Sequence, residues 1–275
     1  MTTTDITTLL RSVKLPVMPE VAHALIRTLK DDDADMGDVR RIIDKDPALT
    51  ATLLRMANSA MFGLSRKVTT LDSALNVVGM SQVRARALGI CLANAVRLPD
   101  SMSRMDFWRY CMVCAGYAKL LAGWAQTDEQ QAWLTAMMLR LGEALIGQVR
   151  PGDLASIGLQ PCAPGERWLR ERQILGFDEG QITAAMAGRW DFPDEVVQAL
   201  EQACLPVTNP RTSKLAKVVS LAAWLAEHAD DLATLQACAS ALPPKLLSSL
   251  NIAPEKLLAG LPDPATFADV SSLLN

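Results

Sequence analysis

Asp46–Gly63, DPALTATLLRMANSAMFG, has the start, the face and the exit of a helix written into it. Asp46 can accept backbone N–H bonds as an N-cap, and Pro47 suits the first helical position, where its missing N–H costs nothing. Leu49, Leu53, Met56, Ala57 and Ala60 recur at three- and four-residue steps, so one face is apolar. Gly63 offers the left-handed backbone that a helix exit favours. Asn58 and Ser59 stand near that exit, where short polar side chains bond local backbone. Asp46 is therefore read as a cap. Asn58 and Ser59 are read as fixing the following turn or facing a partner.

The same grammar extends outward. Leu15-Pro16 and Pro19 open a helix through about Leu29, and a helix from about Met36 to Ile43 leads into Asp46. Thr69-Thr70-Leu71-Asp72 has the form of a capping box and starts a helix that ends at Gly79. Ser81 would cap the next, running through Ala95. Leu98-Pro99-Asp100 interrupts the pattern. Helices are expected at 104–126, 128–149, 166–175, 178–190 and 193–204. After a break at Pro206–Pro210 they continue at 212–229, 231–240, 243–249, 254–260 and 264–274. No useful period-two alternation appears, so the expected fold is all-α and two-lobed. The expected divisions are 1–98, 99–205 and 206–275, the last a set of C-terminal helices packing on the second lobe.

Composition agrees with this. Half of the 275 residues are hydrophobic but only 5% are aromatic, a mix that favours helices over sheets. A net charge of −3 argues against coating nucleic acid through charge alone. The N-terminus lacks a basic stretch followed by an apolar core, so no signal peptide is read there. The most lipid-like window, Cys111–Ala125, contains Lys119 and is too short to span a bilayer. A soluble, cytoplasmic protein with no membrane partner is expected. Cysteines stand at 91, 111, 114, 162, 204 and 238. The one tight pair, Cys111 and Cys114, lies in an apolar helical run and reads as buried, reduced thiols.

Leu15–Leu29 (LPVMPEVAHALIRTL), Asp46–Gly63 and Val68–Leu88 (VTTLDSALNVVGMSQVRARAL) together carry a resemblance. The order Leu-Pro-x-x-Pro, Asp-Pro-Ala-Leu, Ala-Asn-Ser-Ala and a Gly-bounded helix pair resembles the HDOD family, the HD-related output domains of bacterial signalling proteins. The resemblance implies a second lobe similar to the HD phosphohydrolase fold, whose enzymes hold divalent metals with His and Asp. Aligned on the surrounding apolar and Trp/Pro pattern, the positions of those ligands are taken by Tyr110, Leu139, Arg140, Glu179, Glu201 and Gln202. Leucine binds no metal, arginine repels one, and Glu179 alone is a single oxygen ligand. The whole chain has only two histidines, His23 and His228, and neither lies in those segments. No catalytic residue, metal or cofactor is expected. Arg140 paired with Glu179 would convert a catalytic cavity into a structural core.

Two weaker signals compete. Asp31–Asp38 invites comparison with a calcium loop, but Met36 and Ile42 fall where Gly and Glu are needed, so it reads as a solvated turn. Ala74–Arg86 resembles a helix-turn-helix, with Arg84 and Arg86 available to a major groove. The second helix has too many apolar residues to bury, and packing is favoured. The functional expectation is a non-catalytic regulatory or protein-interaction module whose partners are signalling proteins. The alternative is a DNA-binding regulator using residues 74–92.

Overall fold

A computed structural model describes residues 6, 8–9, 15–58, 67–158, 165–205, 209, 211–242, 244–271 and 273–274. Among them the chain forms sixteen α-helices and one short 3-10 turn, with no strand. The first lobe holds α1 (Glu20–Arg27), α2 (Met36–Ile43), α3 (Pro47–Ala57), α4 (Leu71–Val78) and α5 (Met80–Ala95). The second holds α6 (Arg104–Ala125), α7 (Glu129–Leu139), α8 (Leu141–Val149), α9 (Pro151–Gly158), α10 (Glu166–Leu175), α11 (Glu179–Arg189) and α12 (Asp194–Ala203). Then come α13 (Lys214–Glu227), α14 (Leu232–Ser240), α15 (Pro244–Ser249), α16 (Pro254–Gly260) and the 3-10 turn Pro264–Thr266.

Asp46 caps α3 as its sequence suggests, accepting the Leu49 N–H at 3.0 Å. Asn58 closes the same helix and does more than cap it. Its Nδ2 donates to the Leu54 and Val68 carbonyls, both at 2.7 Å, and its Oδ1 accepts the Val68 N–H at 2.7 Å. One amide thus pairs with both backbone groups of a residue ten positions on. Ser59 lies outside the described residues. The acidic turn is spent on capping: Asp35 accepts the Asp38 N–H while Asp38 accepts the Asp35 N–H.

Several boundaries differ from the sequence reading. The cap of α4 is Thr70, which accepts the Ser73 N–H, whereas Asp72 pairs with Arg40 at 3.1 Å. Ser81 lies inside α5, whose entry is Gly79 at φ 93°. The expected helix 128–149 is two helices that meet at Arg140, with φ −77° and ψ 0°. Helix α9 stands where no helix is expected, and among the described residues of the expected helix 264–274 only Pro264–Thr266 is helical.

The helix-turn-helix reading fails on where its arginines point. Arg86 is only 6% exposed and its guanidinium lies 3.9 Å over the Trp133 ring. Arg84 donates Nη1 to the Thr28 carbonyl at 2.6 Å. Helix α5 is buried along most of its length because it is the seam between the lobes. Across that seam Lys119 donates to Gln82 at 3.2 Å, Lys30 pairs with Asp191 at 2.5 Å, and Trp190 Nε1 donates to the Pro16 carbonyl at 3.2 Å.

One apolar core runs through both lobes, from Leu9 to Leu273. Helix α6 lies deep within it, burying Trp108, Cys111, Cys114, Tyr117 and Leu121. Gly116 lets the Phe267 ring rest on the α6 backbone, since a Cβ there would come within 2.2 Å of it. Tyr117 completes that contact, edge-on to Phe267 and donating to the Pro262 carbonyl at 3.1 Å. The C-terminal segment is thereby fastened to the second lobe.

Candidate functional site

The polar residues the core cannot shed gather in the second lobe, where α6, α8, α10, α11 and α13 converge. Arg140 is set there by the break between α7 and α8. Its Nε stands 3.1 Å from Glu143 Oε2 and 3.7 Å from Glu179 Oε2, and its Nη2 meets Glu227 Oε1 at 2.5 Å. The guanidinium lies 3.4 Å over the Tyr110 ring, and the Tyr110 hydroxyl donates to the Ala223 carbonyl at 3.2 Å. Three carboxylates and one aromatic face therefore surround a single cation.

A second arginine joins from α10. Arg167 Nη2 lies 2.9 Å from Glu143 Oε1, and its Nε lies 3.2 Å from Glu171 Oε1. Glu171 accepts the Glu179 N–H at 2.7 Å, and Trp168 Nε1 donates to Glu179 Oε1 at 2.8 Å. Glu171 and Glu179 are both fully buried. Burial raises both carboxyls above the usual range, Glu179 to about 7, with Arg140 and Arg167 opposing the shift.

The backbone around this network is held as tightly as the charges. Gly142 passes so close to α11 that a Cβ would sit 2.1 Å from the Glu179 carbonyl oxygen. Its N–H donates to Thr183 Oγ1 at 2.8 Å, and that hydroxyl faces the Leu139 and Glu179 carbonyls at 2.8 and 3.0 Å. Asp178 caps α11 through a capping box with Gln181 and receives Arg172. Glu179 is thus fixed at the first turn of a capped helix.

Of the positions singled out from sequence, the structure brings Tyr110, Arg140 and Glu179 together. Leu139 is buried beside them, its carbonyl accepting from Thr183. Glu201 is exposed on α12, and Gln202 accepts the Ser213 N–H at 2.7 Å. Those two face other work. Glu143, Arg167, Glu171 and Glu227 take the places around the cluster that the sequence reading did not assign. The i, i+4 pair Arg167–Glu171 and the i, i+3 pair Arg140–Glu143 could have flagged three of them. Nothing local announces Glu227, which arrives from α13. His228 is turned away, its Nδ1 2.9 Å from the Trp224 carbonyl oxygen.

Residues 15–205 match the family model described as HDOD domain. The chain belongs to the HDOD family. A curated relative from Treponema pallidum (strain Nichols), named "Uncharacterized protein", is 22% identical over 192 residues, or 68% of this chain. The chain spans only 37% of that relative's length. Among solved structures, a Shewanella amazonensis SB2B protein named "Putative phosphohydrolase" superposes with a TM-score of 0.74 at 24% identity, covering 96% of this chain and 97% of that one. A Marinobacter aquaeolei VT8 protein named "Putative signal transduction protein" gives 0.72 at 23% identity, covering 98% of this chain and 59% of that one. At such identities the superpositions show a shared fold. In this HDOD chain the donor set does not suit the divalent metals of HD hydrolases. The cluster contains no His, its carboxylates already face two guanidiniums, and among the described residues no group of His, Cys, Asp or Glu is arranged to hold a metal ion. Cys111 and Cys114 are buried free thiols that burial pushes up, and Cys162 lies outside the described residues.

Proposed function

We propose that this HDOD chain is a non-catalytic regulatory module that acts in bacterial signalling through contacts with other proteins. The observation that carries the reading is the Arg140 guanidinium seated among Glu143, Glu179 and Glu227. Hydrolysis of a phosphoester by an HD-type centre needs a divalent cation to polarise the phosphoryl oxygens and ionise a water. Here the carboxylates are matched by side-chain cations instead. A guanidinium carries no ionisable water and cannot be displaced without unpairing buried acids. The proposed task therefore lies with the molecule's surface.

The test is turnover. Purified protein with Mn2+ or Mg2+ should hydrolyse neither bis(p-nitrophenyl) phosphate nor cyclic dinucleotides above the blank, and wild type should take up no Mn2+ in calorimetry. Arg140→Ala, which removes the resident cation, should bind Mn2+ more tightly than wild type does. Metal-dependent turnover by wild type that disappears in Glu179→Gln would overturn the reading.

A further inference from the structure

The two lobes are joined unequally along their seam. At one end the second half of α5 rests closely on α7. Met137 and the Trp133 ring lie against Gly89, where a Cβ would come within 2.7 Å of the sulfur and 3.0 Å of the ring. Arg86 is seated over the same Trp133 ring at 3.9 Å. The chain leaves α5 at this end and crosses to the second lobe. There Gln148 Nε2 donates to the Arg97 carbonyl at 2.7 Å, and Gly147 lies so near Pro99 that a Cβ would sit 2.8 Å from its ring. Close packing and the covalent link therefore coincide.

At the other end a cleft of about 100 Å³ separates the lobes. Leu29, Ser81 and Ala85 line it from the first lobe, and Leu134, Pro193 and Val196 from the second. Polar contacts hold this end. Lys30 pairs with Asp191 at 2.5 Å, and the two side chains are 38% and 69% exposed. Lys30 directly follows Leu29, and Asp191 stands two residues before Pro193, so the pair ties together the opposite walls of the cleft. Next to Asp191, Trp190 Nε1 donates to the Pro16 carbonyl at 3.2 Å. Asp191 reaches Lys30 from a left-handed backbone, φ 64°, which favours glycine and which Asp and Asn tolerate better than most residues.

An exposed ion pair and a single neutral hydrogen bond are each weak, because water replaces them readily. Packing against a glycine has no such substitute. We propose that the seam is a hinge and a clasp: the lobes swing about Gly89 and the Arg97–Pro99 link, and the Lys30–Asp191 pair holds the far side shut. Opening widens the cleft and uncovers the apolar side chains of Leu29, Leu134, Pro193 and Val196. The chain thereby gains a second state that a partner can select.

The experiment measures distances between the lobes of the full chain by pulsed electron–electron double resonance. Nitroxides are placed on Asp32→Cys and Gln198→Cys, exposed positions on the first and second lobes. A control pair, Asn94→Cys and Ala155→Cys, is exposed near the hinge. The background is Cys162→Ser/Cys238→Ser, since the other four thiols are buried. At low salt the 32–198 pair should show a dominant short distance. Asp191→Asn and Lys30→Met should each enlarge a longer-distance population about two- to fivefold, and the double variant no further. Addition of 1 M NaCl should act in the same direction. The control pair should not change. Unchanged distances in either single variant, equal broadening of the control pair, or additive effects in the double variant would overturn the proposal. None of these outcomes bears on the non-catalytic reading, which rests on metal uptake and turnover.

Discussion

The segment from Asp46 to Val68 and the cluster from Arg140 to Glu227 handle buried polarity in opposite ways. In the first, Asp46 and Asn58 each work alone and are satisfied by backbone: Asp46 by the Leu49 N–H, Asn58 by Leu54 and Val68. In the second, charged side chains from several helices are matched by ion pairs with one another, and each charge depends on the rest. The first arrangement should degrade piece by piece. The second should fail as a unit, because removing one member leaves buried charges without partners.

Five measurements can break or sharpen that contrast. Arg140→Ala should cost the most, about 3–5 kcal/mol in urea unfolding, since it leaves Glu143, Glu179 and Glu227 facing one another. Next is the pH dependence. Glu179 has its folded carboxyl raised to about 7 by burial, so the folded state holds a proton that the unfolded chain releases near 4.5. Its contribution is therefore best below pH 4.5 and is lost as pH rises to about 7, on the order of 3 kcal/mol. Glu179→Gln should flatten that fall. Exposed Asp38, held low by the Asp35 N–H, carries the opposite sign and loses its contribution as pH drops. Asn58→Ala should cost roughly 1–3 kcal/mol, by stranding both backbone groups of Val68. Asp46→Ala should cost least, about 1 kcal/mol, the usual value of an N-cap. Arg140→Ala and Glu179→Ala in a double-mutant cycle should couple strongly, whereas Asp46→Ala and Asn58→Ala should come closer to additivity.

The same contrast explains what could be read in the sequence. Caps and periodicity are local, so α2, α10 and α16 fall where the spacing predicts, and the Asp46 cap is legible from six residues. The break at Arg140 was not. Residues 129–149 keep helical composition throughout, and what interrupts them is tertiary: Gly142 must approach the Glu179 carbonyl, and Thr183 takes the Gly142 N–H. Arg140 and Glu179 could be named as neighbours through the family pattern. Glu143 stands at i+3 of Arg140, within reach of a spacing rule, but the partners from α10 and α13 lie at sequence distances where none operates. Arg84 and Arg86 show the reverse error. Two cations on one helix look like a groove-facing pair until Trp133 and the Thr28 carbonyl are placed beside them.

The charge balance around Arg140 has a consequence at long range. Two guanidiniums stand against two acids, Glu143 and Glu227, while burial moves Glu171 and Glu179 toward their neutral forms. The charges of the group therefore largely offset one another, which weakens the field it projects beyond the protein. A cluster balanced in this way contributes little to drawing a phosphate inward, and steering of an approaching molecule is left mainly to the surface charges.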